Sequence, residues 1–302
     1  MAAENPSDGI STRSIHVLDG TAMLFRSYFG MGKFRSPRDL EVAGVMGMGQ
    51  TLARLYRDLR PQHLTVVFDA AKLNFRHEIY PDYKANREAP PEDMTHQFDL
   101  AARLVDELGF PFFRILGYEA DDLMATMAYR ATKAGVKVVL VTPDKDVLQL
   151  VDDNVEVLDG KGSPVFDAAA VEKKLGVPPH RVVDLLALAG DSSDNVPGVR
   201  GVGPKSAVAL IQALGGLDDI YENLDRVPEL AIRGSKSLAA KLEAGRESAF
   251  LSRRLVVLDQ EVPLSDESLT LGSLRWRRPK PSADAFFDEL GFHGPLRTLR
   301  AI

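Results

Sequence analysis

The sequence predicts an α/β fold, a parallel sheet layered with helices, followed by a smaller, mostly α region. Three observations carry this. Apolar, β-branched runs recur at 15–19 (IHVLD), 64–69 (LTVVFD) and 136–141 (VKVVLV), the pattern of strands buried on both faces. Helical periodicity falls between them at 45–59, 98–108 and 119–133. Strands alternating with helices indicate an α/β domain, whose ligands bind at the carboxyl ends of the strands. After about residue 175 the pattern becomes helical, broken by Gly-rich turns at 198–206 and 213–219.

Residues 1–13 (MAAENPSDGISTR) lack the apolar centre of a secretory signal and read as a disordered tail. The first strand ends in Asp19; Phe25, Tyr28 and Phe29 beyond it read mainly as core. The second strand ends in Asp69. Residues 72–95 are polar, charged and punctuated by prolines, and read as a mobile flap over the active edge. The helix at 119–133 opens on three carboxylates and sets Leu123, Met127 and Ala131 along one face. The third strand runs into TPDKD. From about 255 an extended segment and an amphipathic helix are expected to fold back on the first domain. The predicted units are 14–175, 176–254 and 255–302.

The chain has 302 residues, 45% hydrophobic and 26% charged, the balance of a soluble globular protein. It has no cysteine, which excludes disulfides, zinc–thiolate sites and cysteine nucleophiles and fits a reducing, cytoplasmic setting. No apolar run approaches the roughly 18 residues of a membrane span. The formal charge of -6 argues at first against a nucleic-acid partner. Setting aside nine carboxylates as cation ligands leaves a balance of +3. Basic residues also cluster, at Lys33, Arg35 and Arg38; at Arg76, Lys84 and Arg87; and at Arg275, Arg277, Arg278 and Lys280. Distribution matters more than the sum.

The nine carboxylates are Asp19, Asp69, Glu119, Asp121, Asp122, Asp144, Asp146, Asp191 and Asp194, each placed where a strand ends or a helix begins. Taken alone, YEADD reads as favourable charge at a helix N-terminus, PDKD as a turn, and GDSSDN as a helix end followed by a cap. In an extended stretch, Asp144 and Asp146 would point the same way. Together they form an oxygen-only set with no histidine or cysteine, the chemistry of Mg²⁺ or Mn²⁺. Two such ions can hold a phosphodiester for hydrolysis, which needs more carboxylates than one ion uses.

GVRGVGPKSA supplies a second signal. Gly201 and Gly203 permit close approach of a phosphodiester, and the helix that follows Pro204 offers free N–H groups. Arg200, Lys205 and Ser206 complete a candidate DNA-binding hairpin. In the flap, Arg76, Lys84 and Arg87 offer cations and Tyr83 a face on which a base can stack. Lys84 and Arg87 share a face if the segment is helical.

In order and spacing, LDG, VFD, FRHEIYPDYKANR, GYEADDLMAT, TPDKDVLQL and LAGDSSDNVPGVRGVGPKSA resemble the 5′-nuclease family. That family includes flap endonucleases, phage 5′-exonucleases and the amino-terminal nuclease domain of bacterial DNA polymerase I. The resemblance covers about residues 15–295 and implies a PIN-like domain with a helical arch at about 72–95, then a helix–three-turn–helix DNA-binding region. It places the metal ligands on the nine carboxylates, the arch groups on Arg76, Tyr83, Lys84 and Arg87, and the DNA grip on Gly201, Gly203 and Lys205. It implies two or more Mg²⁺ or Mn²⁺ ions, and a potassium ion at the hairpin. Thr21 and Ala22 replace the serines usual after the first Asp-Gly, Arg200 a common proline, and Pro204 a common acidic residue.

The expected function is a stand-alone bacterial, structure-specific 5′-nuclease, a 5′-3′ exonuclease and flap endonuclease of replication and repair. It would act as a monomer on flapped, nicked or 5′-ended duplex DNA. Glu119, Asp121, Asp144 and Asp146 would hold the first ion, with Asp19 and Asp69 nearby through water and Asp122 in outer support. Asp191 and Asp194 would help place the second. The alternatives are a ribonuclease of the PIN class, which the hairpin and arch do not suit, and a non-catalytic DNA-junction binder, which the complete carboxylate set argues against.

Overall fold

The computed structural model describes residues 14–159 and 165–302; the tail expected over 1–13 lies outside them. The first half contains β1 (Ser14–Asp19), α1 (Gly20–Gly30), α2 (Ala43–Leu59), β2 (His63–Val67), α3 (Phe75–Ile79), α4 (Glu92–Thr95), α5 (Gln97–Glu107), β3 (Phe112–Phe113), α6 (Ala120–Lys133), β4 (Lys137–Val141) and β5 (Val155–Leu158). Every strand pairing is parallel, in the order β3-β2-β1-β4-β5. The three apolar runs are the three central strands. The edge strands β3 and β5 are too short to announce themselves in the sequence.

Alternation along the strands divides the core into two layers. Ile15, Val17, Val138 and Leu140 face α6. Leu18, Val139 and Val141 face α1, α2 and α5. The sheet is thus covered on both faces, as its apolar strands require.

The second half is α-helical: α7 (Ala168–Leu175), α8 (Val182–Ala189), α9 (Pro204–Leu214), α10 (Leu217–Glu222), α11 (Ser235–Ala244) and α12 (Arg246–Val256). Its core residues, among them Leu185, Leu210 and Leu242, belong to the same apolar cluster as the α6 face of the sheet. The chain then returns to the first half. Leu64 N–H donates to the Leu274 carbonyl at 3.0 Å, and Arg277 N–H to that of Gly109 at 2.9 Å. Gly109, at φ +81°, admits this approach; a Cβ there would lie 2.1 Å from the Arg277 carbonyl oxygen. Finally α13 (Ala283–Leu290) and α14 (Gly294–Arg300) close the α2 side of the core.

Segment 72–95 is only partly helical. Between α3 and α4 it runs through consecutive turns at 81–87, and Lys84 takes a left-handed φ of +56°. Lys84 and Arg87 therefore do not share a helical face. The segment is fastened rather than free: Lys84 N–H donates to the Asp194 carbonyl (2.9 Å), Asn86 Nδ2 to that of Ser192 (2.5 Å), and Asn195 Nδ2 to that of Asp82 (2.7 Å).

Candidate metal centre

The five acidic stretches line the carboxyl edge of the sheet. Asp19 ends β1 and caps α1; its Oδ1 accepts from Ala22 N–H at 2.8 Å and its Oδ2 from the Thr142 hydroxyl at 2.9 Å. Asp69 lies two residues past β2. Its N–H donates to Thr21 Oγ1 at 2.9 Å, and its Oδ1 accepts from Ala120 N–H at 2.7 Å. Threonine at 21 thus keeps the hydroxyl that this bond needs. Asp144 N–H donates to Thr142 Oγ1 (3.1 Å), and Asp146 N–H to Asp144 Oδ1 (2.9 Å). Residues 142–146 form a tight turn into the 3₁₀ helix Asp146–Leu150, not the extended stretch expected. Pro143 and the aspartate's reach to the backbone two residues on account for the difference.

Crowding of like charges away from water dominates the electrostatics. Burial, joined by the charges of Asp69 and Asp144, pushes Asp19 up to about 7 against the opposing hydrogen bonds of Ala22 and Thr142. Burial and the charges of Asp144, Asp191 and Asp194 push Asp146 up to about 8. Burial also raises Asp69, with the charge of Glu119 adding, and Asp121, with Asp144 and Asp19 adding. Asp144 moves the same way, through burial and then Asp194.

Asp121 Oδ1 and Asp146 Oδ1 are buried with no hydrogen-bond partner. Such oxygens are costly unless a cation meets them. With oxygen donors alone around them, a hard divalent ion fits. Asp121, Asp144 and Asp146 would hold it, with Asp19 and Asp69 beside them. Among the described residues no three of these side chains already converge on one point. The Lys84 ammonium stands among them, bonded to Glu119 Oε1 and 3.4 Å from Asp194 Oδ2. Burial alone would lower the pKa of Lys84, but Glu119 and Asp194 outweigh it and hold it raised.

Three expected site residues have other duties. Asp122 is buried and saturated: its oxygens accept from Arg76 Nη1 (2.8 Å) and Nη2 (2.7 Å), Glu119 N–H (3.1 Å) and Asp259 N–H (2.9 Å). It holds the start of α6, and each of its oxygens already accepts two hydrogen bonds. Arg76 is only 1% exposed and faces inward. Besides Asp122 it donates to Glu119 Oε2 (3.2 Å) and to the carbonyls of Leu255 (2.7 Å) and Val257 (3.0 Å), so its five N–H bonds all have acceptors. Tyr83, 4% exposed, offers no open face to a base. Its hydroxyl, with one proton to donate, lies within hydrogen-bond distance of Glu119 Oε2 (2.9 Å) and Asp194 Oδ2 (3.0 Å).

Arg87 is half-exposed and pairs with Asp194 Oδ1. Asp191 Oδ1 accepts from Ser193 N–H (2.9 Å) and Oγ (2.7 Å), and its Oδ2 lies 3.0 Å from Lys145 Nζ. Burial pushes Asp191 up, but Ser193 and Lys145 outweigh it and hold its carboxyl below the usual range. The sequence reading passed over Lys145, Thr142, Gln149 and the asparagines 86 and 195. Lys145 had a signal, since it lies between two of the carboxylates. Partners far along the chain left none.

The loop after Asp194 leads straight into the glycine hairpin. Val199 and Val202 are buried, while Arg200, Gly201, Gly203 and Lys205 are exposed and Ser206 half-exposed. Gly201 has φ +81°, and nothing lies within 4 Å of where a Cβ on Gly203 would be. Gly203 caps α9 with Pro204 in its first turn, leaving the helix N-terminus open to an anion. Lys241, not anticipated, brings its Nζ to 3.5 Å from the Gly201 carbonyl.

Residues 14–176 match the family model "5′-3′ exonuclease, N-terminal resolvase-like domain", and 177–281 match "5′-3′ exonuclease, C-terminal SAM fold". A 5′-3′ exonuclease of Buchnera aphidicola (subsp. Schizaphis graminum) is 34% identical over 262 residues, 86% of this chain and 91% of that protein. DNA polymerase I of Pseudomonas aeruginosa is 38% identical over 259 residues, 85% of this chain but 28% of the polymerase. Among solved structures, the bacteriophage T5 D15 flap endonuclease, in a pseudo-enzyme–product complex with DNA and metal ions, superposes with a TM-score of 0.65. It is 23% identical, with 96% of this chain and 97% of that one covered, a likeness of fold.

Proposed function

The chain belongs to the 5′-3′ exonuclease family, and from that membership we propose that it cuts the 5′ strand of flapped, nicked or 5′-ended duplex DNA by two-metal hydrolysis. One observation carries the reading. The loop Asp191–Asn195 joins the carboxylate edge, where two buried oxygens lack partners, to an exposed hairpin of glycines and cations. The proposed cleavage edge and backbone grip are thus linked by one short stretch of chain.

Mg²⁺ or Mn²⁺ suits the oxygen-only donors, and more than one ion suits their number. Divalent ions in such a set supply an activated water and neutralise charge on the leaving oxygen. The side chains do the rest. Asp121, Asp144 and Asp146 hold the cations, and Asp19 and Asp69 keep the edge negative. Lys84 and Arg87, paired with Glu119 and Asp194 without substrate, turn to the phosphate oxygens when DNA and metal arrive. No side-chain nucleophile is required. At the hairpin, backbone carbonyls would hold a potassium ion against a DNA phosphate. The protein would act as a monomer in the bacterial cytoplasm.

The test is cleavage of a 5′-labelled flap duplex with Mg²⁺, with Mn²⁺ and with chelator, beside a matched RNA flap. Metal-dependent cutting of the DNA flap is expected. Cutting of RNA alone would move the protein to the ribonuclease reading, and binding without cutting under any divalent ion to the non-catalytic one.

A further inference from the structure

The end of α12 is gripped from two sides, and each grip comes from behind the acidic edge. On one side Arg76, which binds Glu119 and Asp122, donates through Nε to the Leu255 carbonyl at 2.7 Å and through Nη2 to that of Val257 at 3.0 Å. On the other, Gln149 follows Asp144 and Asp146 in the 3₁₀ turn. Its Nε2 donates to the Val256 carbonyl at 2.9 Å and to that of Asp146 at 2.9 Å, and its Oε1 accepts from Leu258 N–H at 3.1 Å. Polar groups from 255 to 258 are thus divided between the two halves of the carboxylate set.

The rest of α12, from its N-cap to Ser252, holds the start of the hairpin. Ser248 Oγ donates to the Gly198 carbonyl at 2.6 Å, and Ser252 Oγ accepts from Gly198 N–H at 2.9 Å. At the N-cap, a Cβ on Gly245 would lie 2.8 Å from Val199 Cγ1, so glycine there lets the hairpin seat against the helix. Eleven helical residues make a strut of about 16 Å. The start of the hairpin is seated along it from Gly245 to Ser252, and its last turn is clamped to the metal edge.

We propose that Arg76 and Gln149 are positioning residues that set the cleavage register, the number of nucleotides between the gripped duplex and the phosphate that is cut. This rests on the reading of the protein as a flap-cutting nuclease. A two-sided clamp on a rigid strut holds the metal edge at one distance from the hairpin. Loosening either side allows neighbouring phosphates to reach the ions.

Three variants test it. Gln149→Leu removes neutral hydrogen bonds and no charge. Arg76→Lys keeps the charge and loses the fork. Ser252→Ala loosens the seat of the hairpin on the strut. Each is assayed in single turnover on a flap duplex, with products resolved to one nucleotide and thermal midpoints measured in parallel. The wild type is expected to give one dominant product. In the variants the ratio of neighbouring products to it should rise about tenfold, the factor that loss of one or two neutral hydrogen bonds permits. Slower cutting at an unchanged position in Gln149→Leu and Ser252→Ala would overturn the inference while leaving the proposed function intact. A wild type that cuts no flap overturns both. If Arg76→Lys fails to fold, the two neutral variants decide the matter.

Discussion

The guanidinium of Arg76 spans both carboxylate oxygens of Asp122, at 2.8 and 2.7 Å, and neither side chain reaches solvent. One residue earlier, Asp121 has a buried oxygen with no hydrogen-bond partner. The two neighbours therefore act oppositely on stability. Asp122→Asn should cost about 3–5 kcal/mol, because it breaks a buried pair from one side. Asp121→Asn should stabilise the protein in chelator. Denaturant titration of both variants beside the wild type checks the sign; an Asp122→Asn protein of unchanged stability would end the assignment.

Raised carboxylate pKa values make stability depend on pH. Asp19 and Asp146 sit at about 7 and about 8 in the folded chain, against about 4 when unfolded. Between those values the folded state holds more protons than the unfolded state, so stability falls as pH rises. In chelator the thermal midpoint should drop from pH 4 to pH 8 and then level off. Millimolar Mg²⁺ or Mn²⁺ should reverse much of the drop at pH 8. A midpoint that climbs over this window in chelator contradicts the electrostatics described.

Asp144→Asn or Asp146→Asn should lower flap cleavage by about a thousandfold or more, the scale of several kcal/mol of lost transition-state charge stabilisation. Binding of flap DNA should persist, because the hairpin is untouched. Single-turnover rates and equilibrium binding on one substrate separate the two effects.

Lys84→Ala removes a cation that pairs with Glu119 and Asp194. If the ammonium turns to the phosphate in the transition state, kcat should fall about 10²–10³-fold with little change in KM. A rise in KM alone would make Lys84 a binding residue instead.

Lys205→Ala should weaken binding of all duplex sequences alike and reduce the slope of log affinity against log salt by about 1. Cleavage at saturating substrate should be nearly unchanged. A salt slope equal to that of the wild type would remove Lys205 from the phosphate contacts.

Period and spacing made much of this protein legible. Strands buried on both faces write continuous apolar runs, and β1, β2 and β4 stood out for that reason. Carboxylates at strand ends point to one edge, and glycines in a hairpin declare its backbone. What the sequence hid was competition between partners. Asp122 and Asp121 look alike in YEADD, yet only the fold brings Arg76 and the 255–259 stretch against one of them. Tyr83 stands among cations in the sequence and looks exposed, but its hydroxyl is drawn inward by Glu119 and Asp194. Gln149 offers no pattern at all, since its main-chain partners at Val256 and Leu258 lie more than a hundred residues away.

The apolar cluster that runs from Val17 and Met127 through Leu185, Leu210 and Leu242 has no seam at the boundary between the two family regions. The helical second half is therefore not a cassette. Cut away near residue 177, it would present to water the apolar side of α8 that now packs against the 3₁₀ helix Asp146–Leu150, the kind of exposed patch that drives association. Exchange of parts between relatives should work at the surface hairpin, where side chains are few and exposed, and fail at the domain border. In this protein the proposed substrate grip and cutting edge are inherited as one body.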